Sequence, residues 1–472
     1  MKNWPIILIA ALLAGCAHFE PQPLAPEKTA AQLESRRLDD ASLQKFLGQN
    51  LGGETNGVPV TNWDLNSFTL VAFYFHPSLE VARAQWRVAQ AGVKTAGGRP
   101  NPTLSLVPGY DTTSHAGVNP WFPAVSFDLP IETAGKRGKR IAEANHLSES
   151  ARWDIVMVAW KVRSDVRTSL LDFSVAERRA ALLEKQFAAQ QQIVKLLQQR
   201  LDAGAISRPG FTTAQIAFHK TQLDFADAQS KLSGARSRLA ESLGVSAVAL
   251  TDVKFEFDFS ALPADGLTSA EARRAALQSR ADLLGALADY AATEDELRLQ
   301  IAQQFPDVHL NPGYQFDQGD NKWSVGLTFD LPILNQNQGP IAEAKAKREL
   351  SAAKFLQLQA QVIAEIDRTV AGWRVAEQQL KTGNELLAAE QQQQKSAQAQ
   401  LEVGAADQLD SLNAQMEFAS ASLVQLENET QLQTALGQLE DAVQSPLTLS
   451  NSVVRQTQKN PRETKPILKH EP

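Results

Sequence analysis

The chain has 472 residues and a formal net charge of −7, with 46 Lys and Arg scattered among 53 Asp and Glu. One cysteine excludes an internal disulfide, and the mild, dispersed charge excludes a nucleic-acid surface. Beyond the N-terminus no stretch approaches about eighteen consecutive apolar residues, so no permanent transmembrane helix is expected and any membrane entry must use strands.

At the N-terminus Lys2 precedes an apolar run, Trp4 to Leu13, too short to span a bilayer. It ends in Leu13-Ala14-Gly15-Cys16. This layout resembles a bacterial lipoprotein signal (1–15) cut before Cys16, so that Cys16 is lipidated and 16–62 forms a lipid-anchored linker. Ala17, where Asp is linked to inner-membrane retention, favours the outer membrane. An ordinary signal peptide with an incidental cysteine is the plainer alternative.

From residue 63 the chain is written twice. A helix about Asn66–Ala96 leads to a hairpin about 102–130, a long helix about 138–203, a glycine reversal at Gly204 and a helix about Phe211–Leu243. After an irregular connector, 245–268, the order repeats: a helix about Ser269–Gln303, a hairpin about 306–332, a long helix about 340–403, Gly404 and a helix about Ser411–Val443. The repeats are 63–244 and 269–447, and 448–472 is a flexible tail. Phe127-Asp128-Leu129-Pro130-Ile131 recurs as Phe329-Asp330-Leu331-Pro332-Ile333, Ile141-Ala142-Glu143-Ala144 as Ile341-Ala342-Glu343-Ala344, and Leu201-Asp202-Ala203-Gly204-Ala205 as Leu401-Glu402-Val403-Gly404-Ala405.

The hairpins alternate apolar and polar residues. Val308, Leu310, Pro312, Tyr314 and Phe316 interleave with His309, Asn311 and Gln315, and Trp323, Val325, Leu327 and Phe329 with Lys322, Ser324 and Thr328. Period two over about nine to eleven residues suits tilted membrane strands with one lipid face and one wet face. Tyr110, Trp121, Tyr314 and Trp323 are expected at the bilayer rims. Four strands cannot close a membrane barrel, so the barrel is shared between chains; eight strands from two chains and twelve from three both satisfy the arithmetic. Each long helix should reach on the order of 100 Å. Glutamine runs such as Gln190–Gln192 and Gln391–Gln394 interrupt any wide apolar stripe, which suits a wall around a water-filled bore better than a solid bundle.

No catalytic constellation emerges, and no enzyme activity or cofactor is expected. Gly135-Lys136-Arg137-Gly138-Lys139-Arg140 is no phosphate loop, since Arg140 stands where Ser or Thr would hold magnesium. Lys136, Arg137, Lys139 and Arg140 oppose the dipole of the helix they open. They either pair with carboxylates or lipid phosphates at a strand–helix junction or form a solvated basic bend. His76, His115, His146, His219 and His309 show no paired spacing and methionines number three, so no resident metal is expected. Gly204 and Gly404 read as helix C-caps. Glu402, Asp407 and Asp410 beside them form either an acidic ring narrowing the tunnel or solvated helix-end carboxylates.

The duplicated Asn-Pro, strand, Phe-Asp-Leu-Pro-Ile, long-helix order resembles the TolC-like outer-membrane factors of tripartite efflux pumps over about Leu65–Val443. His76-Pro77-Ser78-Leu79 and Leu129-Pro130-Ile131-Glu132-Thr133-Ala134-Gly135-Lys136-Arg137 look nearest to the heavy-metal (CzcC- and CusC-like) branch. The resemblance implies a mainly α chain with membrane β: a homotrimer whose twelve-stranded β-barrel stands on an α-helical periplasmic barrel with an equatorial belt. It implies an energy-supplying inner-membrane RND-type transporter and a periplasmic adaptor meeting the tips at Arg200, Leu201, Gly204, Ser207, Leu401 and Gly404. Leu201 and Asp407 depart from the family's usual aromatic and serine. The implied function is passive conduction of cargo, heavy-metal cations included. The alternatives are the outer component of a type I protein secretion system and a lipid-anchored scaffold without a pore.

Overall fold

The computed structural model describes residues 18–51, 63–112, 117, 119–251, 253–255, 257–259 and 270–445. Cys16, the 448–472 tail and much of the 245–268 connector lie outside them.

The stretch expected as a linker folds in part, as α1 (Pro26–Glu34) and α2 (Ala41–Asn50). Asp40 caps α2 by accepting from the Ser42 and Leu43 N–H groups. Leu43 and Leu47 are fully buried in the largest apolar core, each worth roughly 1.5–3 kcal/mol.

Each segment expected as one short helix is two. In the first repeat α3 (Leu65–Phe75) stops at His76 and α4 (Pro77–Ala96) begins again. Pro77 has no N–H to continue the ladder and bars its predecessor from the helical region. In the second, α7 (Ala270–Ser279) and α8 (Ala281–Ala302) part at Arg280, which is extended at ψ 131°. No proline acts there. The Arg280 guanidinium instead binds Asp282, Glu365 and the Ala442 carbonyl, so tertiary contacts hold the break open.

The remaining helices are long. α5 (Lys136–Asp202) has 67 residues and α9 (Gln338–Glu402) has 65; α6 (Arg208–Leu243) and α10 (Gln408–Val443) have 36 each. They stand as four columns. α4 stacks end to end on α6, with the joint at Gly244 against Phe75 and His76. α8 stacks on α10, where the Ala281 N–H donates to Gln444 Oε1 at 2.8 Å. α5 lies between these two columns, and α9 packs beside α8 and α10. The outer columns each have one flank without a neighbour. Ile216 and Leu223 of α6 are exposed, as are Leu356 and Val375 of α9.

Above the columns one antiparallel sheet runs β1 (Thr103–Val107), β2 (Ala124–Ile131), β3 (Val308–Asp317) and β4 (Asp320–Phe329) in that order. β1 is shorter than its repeat partner. Beyond Val107 regular pairing gives way to a single Tyr110–Trp121 bridge, although the equivalent Pro312 stays inside β3. At Gly109 a Cβ would lie 2.2 Å from the Phe122 ring, so the strands cross there only over glycine. The second hairpin turns through Gln318 (φ 52°) and Gly319 (φ 98°), the left-handed pair that matches strand twist.

Registers of Thr103 with Asp128, Ser126 with Gly313 and His309 with Thr328 put the polar side chains of the sheet on one face, apart from Asn321 and the Tyr314 hydroxyl that donates to it. The other face carries Leu104, Leu106, Phe127, Leu129, Leu310, Trp323, Val325 and Leu327. Trp323, Val325 and Leu327 are 80%, 74% and 66% exposed, an apolar surface far too large for water. The aromatic pairs Tyr110–Trp121 and Tyr314–Trp323, with centroids 5.0 and 4.8 Å apart, both lie toward the hairpin tips. They mark one rim rather than two. The rim next to the helices carries Phe305, Phe329 and Leu331, all exposed.

Candidate functional sites at the two ends of the columns

At the strand–helix junction two of the four cations, Arg137 and Arg140, cap a neighbouring helix, while Lys136 and Arg140 pair with carboxylates. Arg137 Nε donates to the Gly97 carbonyl at 2.7 Å and Arg140 Nε to that of Ala96 at 3.4 Å. Both carbonyls belong to the C-terminal end of α4, where positive charge is favoured. This resolves the conflict with the dipole: the cations open α5 but serve its neighbour. Arg140 also grips Glu132 with both guanidinium nitrogens. Lys136, nearly buried, reaches Asp307 of the second repeat at 2.8 Å, and Lys139 donates to the Ala134 carbonyl at 2.8 Å.

At the far end both long helices close in the same way. Gly204 and Gly404 share φ 71°. Ala205 N–H donates to Arg200 O and Gly204 N–H to Leu201 O, and Ala405 and Gly404 repeat this onto Gln400 and Leu401. That is a Schellman cap, which requires a left-handed residue and so selects glycine. The next helices start differently. Ser207 makes no side-chain cap on α6. Asp407 builds a capping box on α10, accepting from the Leu409 and Asp410 N–H groups, while its own N–H donates to Asp410.

Asp407 also receives Arg200 Nη2 at 2.7 Å, which ties the two reversals together. Arg200, then the backbone donors, hold its carboxyl below the ordinary value. Of the three acids expected to line a ring, Asp407 therefore has its charge answered and Asp410 is engaged in the box. Among the described residues Glu402, exposed, accepts from Gln398 at 3.3 Å and pairs with no cation. Leu201, Ser207 and Leu401 stand at the reversals on partly or fully exposed positions. Just above them two open grooves run between paired helices, one past Gln192, Lys195, Gln199 and Phe211 and the other past Gln393, Gln400, Asn413 and Glu417.

Residues 75–245 and 272–443, the two repeats almost whole, match the outer membrane efflux protein family. The chain belongs to that family. The cobalt-zinc-cadmium resistance protein CzcC of Cupriavidus metallidurans is 25% identical over 290 residues, 59% of this chain and 65% of that protein. The match thus spans just under two thirds of this relative. The crystal structure of CusC superposes with a TM-score of 0.64 at 18% identity, over 81% of this chain and 92% of that one. The Campylobacter jejuni CmeC outer membrane channel gives 0.66 at 13% identity, over 94% and 97%. These structures share the fold.

Two features of this outer membrane efflux protein escape a reading along the chain. The first is a buried ionic knot between repeats. Arg163 and Arg167 of α5 meet Glu440 of α10 at 2.9 and 3.6 Å, with Glu440 fully buried. Arg167 also donates to the Gln433 carbonyl at 2.7 Å. Asp441 next door accepts from Trp160 and Ser164, and burial pushes its carboxyl above the ordinary value. An Arg-x-x-x-Arg spacing on one helix face was the only available signal. The second is that two histidines do not stand alone: His146 lies 3.4 Å from Asp295, and His309 Nδ1 lies 2.9 and 3.1 Å from the two oxygens of Asp128. Among the described residues no three metal-ligating side chains gather.

Proposed function

We propose that this protein is the outer-membrane duct of a tripartite efflux system, passively conducting divalent heavy-metal cations from the periplasm to the exterior. The observation that carries the reading is the four-stranded sheet. One face is apolar and exposed, the other is polar, and both edges, β1 and β4, are open. An open edge in lipid leaves backbone donors and acceptors unpaired, so copies of the chain must close the sheet upon itself. Three copies give twelve strands, and the free flanks of α6 and α9 meet in the same closure to make the wall of a tunnel. The polar face then lines the bore.

In this reading Cys16 carries lipid in the outer membrane, and Arg200, Leu201, Gly204, Ser207, Leu401 and Gly404 present the reversals to a periplasmic adaptor, which links the duct to an inner-membrane RND-type pump. The acids Glu402, Asp407 and Asp410 surround the closed entrance, with Arg200 as their counter-charge. The metal cargo is supported by the likeness to a cobalt-zinc-cadmium resistance protein. The test is reconstitution of the full chain into planar bilayers together with deletion in the parent bacterium. Heat-modifiable oligomers with discrete conductance, and a deletion strain sensitised to cobalt, zinc or cadmium, are expected. A monomer that never conducts would defeat the duct, and unchanged metal tolerance would defeat the cargo.

A further inference from the structure

Within the four strands the polar face carries titratable side chains at two levels only. Asp317, Asp320 and Lys322 sit at the hairpin tip, with Lys322 held 2.7 Å from Asp317. Asp128 and His309 sit near the helices, on β2 and β3 from different repeats. Between the levels the face is small and neutral: Ser105, Ser126, Asn311, Gly313, Ser324 and Gly326. Just below, Asp307 is engaged by Lys136 at 2.8 Å and by the Thr133 N–H at 2.9 Å. Among the described residues Asp128 has no such cation. Its partner is the imidazole, and both side chains are about two-fifths exposed on the polar face.

The geometry is that of an oriented ligand. Nδ1 faces both carboxylate oxygens and so carries the proton. Nε2 is left as the lone-pair nitrogen, and no other side chain of the described residues is bonded to it. A carboxylate on the far ring nitrogen fixes the tautomer and the ring orientation, as in carboxylate–histidine–zinc arrangements.

We propose that Asp128 orients His309 so that Nε2 acts as a transient ligand for borderline divalent metal ions, such as zinc or cobalt, moving through the barrel. The proposal rests on the duct reading, which places this face in the bore. A single nitrogen per chain is a weak site. That suits conduction, which needs binding favourable enough to admit an ion and weak enough to release it. It also discriminates. Imidazole suits zinc, cobalt and nickel, whereas calcium and magnesium seek oxygen.

The test is potassium current through the reconstituted full-length channel with zinc added on the periplasmic side and calcium at the same concentration as control. Wild type is expected to show brief zinc interruptions that calcium does not produce. His309→Gln should abolish them. Asp128→Asn should raise the interrupting zinc concentration on the order of tenfold, the usual effect of losing an orienting carboxylate. Heat-modifiable oligomers that carry discrete potassium current identify folded variants, and His309→Ala gives a second substitution. Interruptions that persist in both histidine variants would overturn the proposal, as would equal effects of zinc and calcium. Loss in Asp128→Asn alone would make the site a bare carboxylate and overturn it too. A wild type without current would instead defeat the duct reading, and this proposal with it.

Discussion

The two repeats reach one backbone by different chemistry, and three equivalent places show it. At the column joints, Gly244 and Gln444 are both left-handed, with φ 71° and 47°. The first joint needs glycine, because a Cβ would come 3.0 Å from the Phe75 carbonyl, and Arg36 from the N-terminal segment donates to both the Phe75 and Gly244 carbonyls. The second accepts a side chain and uses it: Gln444 receives the Ala281 N–H, and Arg280 binds the Ala442 carbonyl. At the strand–helix junctions, Arg137 and Arg140 cap α4, whereas neutral Asn337 donates to the Gln300 carbonyl at 2.7 Å to cap α8. At the reversals, Ser207 leaves α6 uncapped and Asp407 caps α10. The orphan carbonyls and amides of helix ends must be answered in both copies. Which residue answers is free to drift, and that freedom lets one copy acquire charge and contacts the other lacks.

The largest expected effect lies where the copies are joined. Glu440→Ala strands Arg163 and Arg167 in a buried site and should cost about 3–5 kcal/mol, read as a fall in unfolding midpoint in detergent. Replacing all three by apolar residues of similar volume should restore most of it. If the single substitution costs nothing, the knot does not join the repeats.

Next comes the joint. Gly244→Ala adds both a left-handed strain and a clash and should cost roughly 1–3 kcal/mol. Gln444→Ala, already left-handed with a side chain, loses one hydrogen bond and should cost about 1 kcal/mol. Equal losses would erase the asymmetry. At the junctions, Arg137→Ala with Arg140→Ala should cost about 1–2 kcal/mol after allowing for partial exposure, and at high salt less. Asn337→Ala should cost less than that pair and show no salt dependence.

Much of this frame was legible beforehand. Alternation in Val308–Phe316 placed the lipid face, proline-free stretches placed α5 and α9, and the duplicated Leu-x-x-Gly-Ala placed both reversals. What was not legible depends on contact between distant residues. Arg36 meets Gly244 across 208 positions and Arg200 meets Asp407 across 207, so neither has a local signature. The helix break at Arg280 was invisible for the same reason: beyond nearby Asp282, it is held by the distant Glu365 and Ala442. The basic turn pairs with carboxylates, Lys136 with Asp307 and Arg140 with Glu132; its capping of α4 through Arg137 and Arg140 depends on a helix beside α5 and has no local signature.

Two aspartates of α10 should respond oppositely to pH. Asp407 is depressed by Arg200 and backbone donors. Its contribution is therefore present above the unfolded carboxylate range and lost as pH falls through the lower folded value. Asp441 is raised by burial. Its native form binds the proton more tightly, so its ionisation weakens the fold as pH rises from the unfolded value through the raised one. Asp441→Asn should flatten that loss, and Asp407→Asn should remove the acid-side change at the reversal.

The smallest effect is at the tips. Asp407→Ala removes the acceptor for the Leu409 and Asp410 N–H groups and the anchor of Arg200, so those amides should exchange faster with deuterium while the rest of α10 is unchanged. Ser207→Ala removes no cap and should leave the first turn of α6 exchanging as before. Ser207→Asp supplies the missing acceptor at a helix N-terminus, where negative charge is also favoured, and should slow that exchange. If Ser207→Ala loosens α6 as much as Asp407→Ala loosens α10, the reversals are chemically alike and the asymmetry resides only at the sheet end. If only the second copy responds, the Arg200–Asp407 link is the one specific tie between tips that otherwise share a glycine cap.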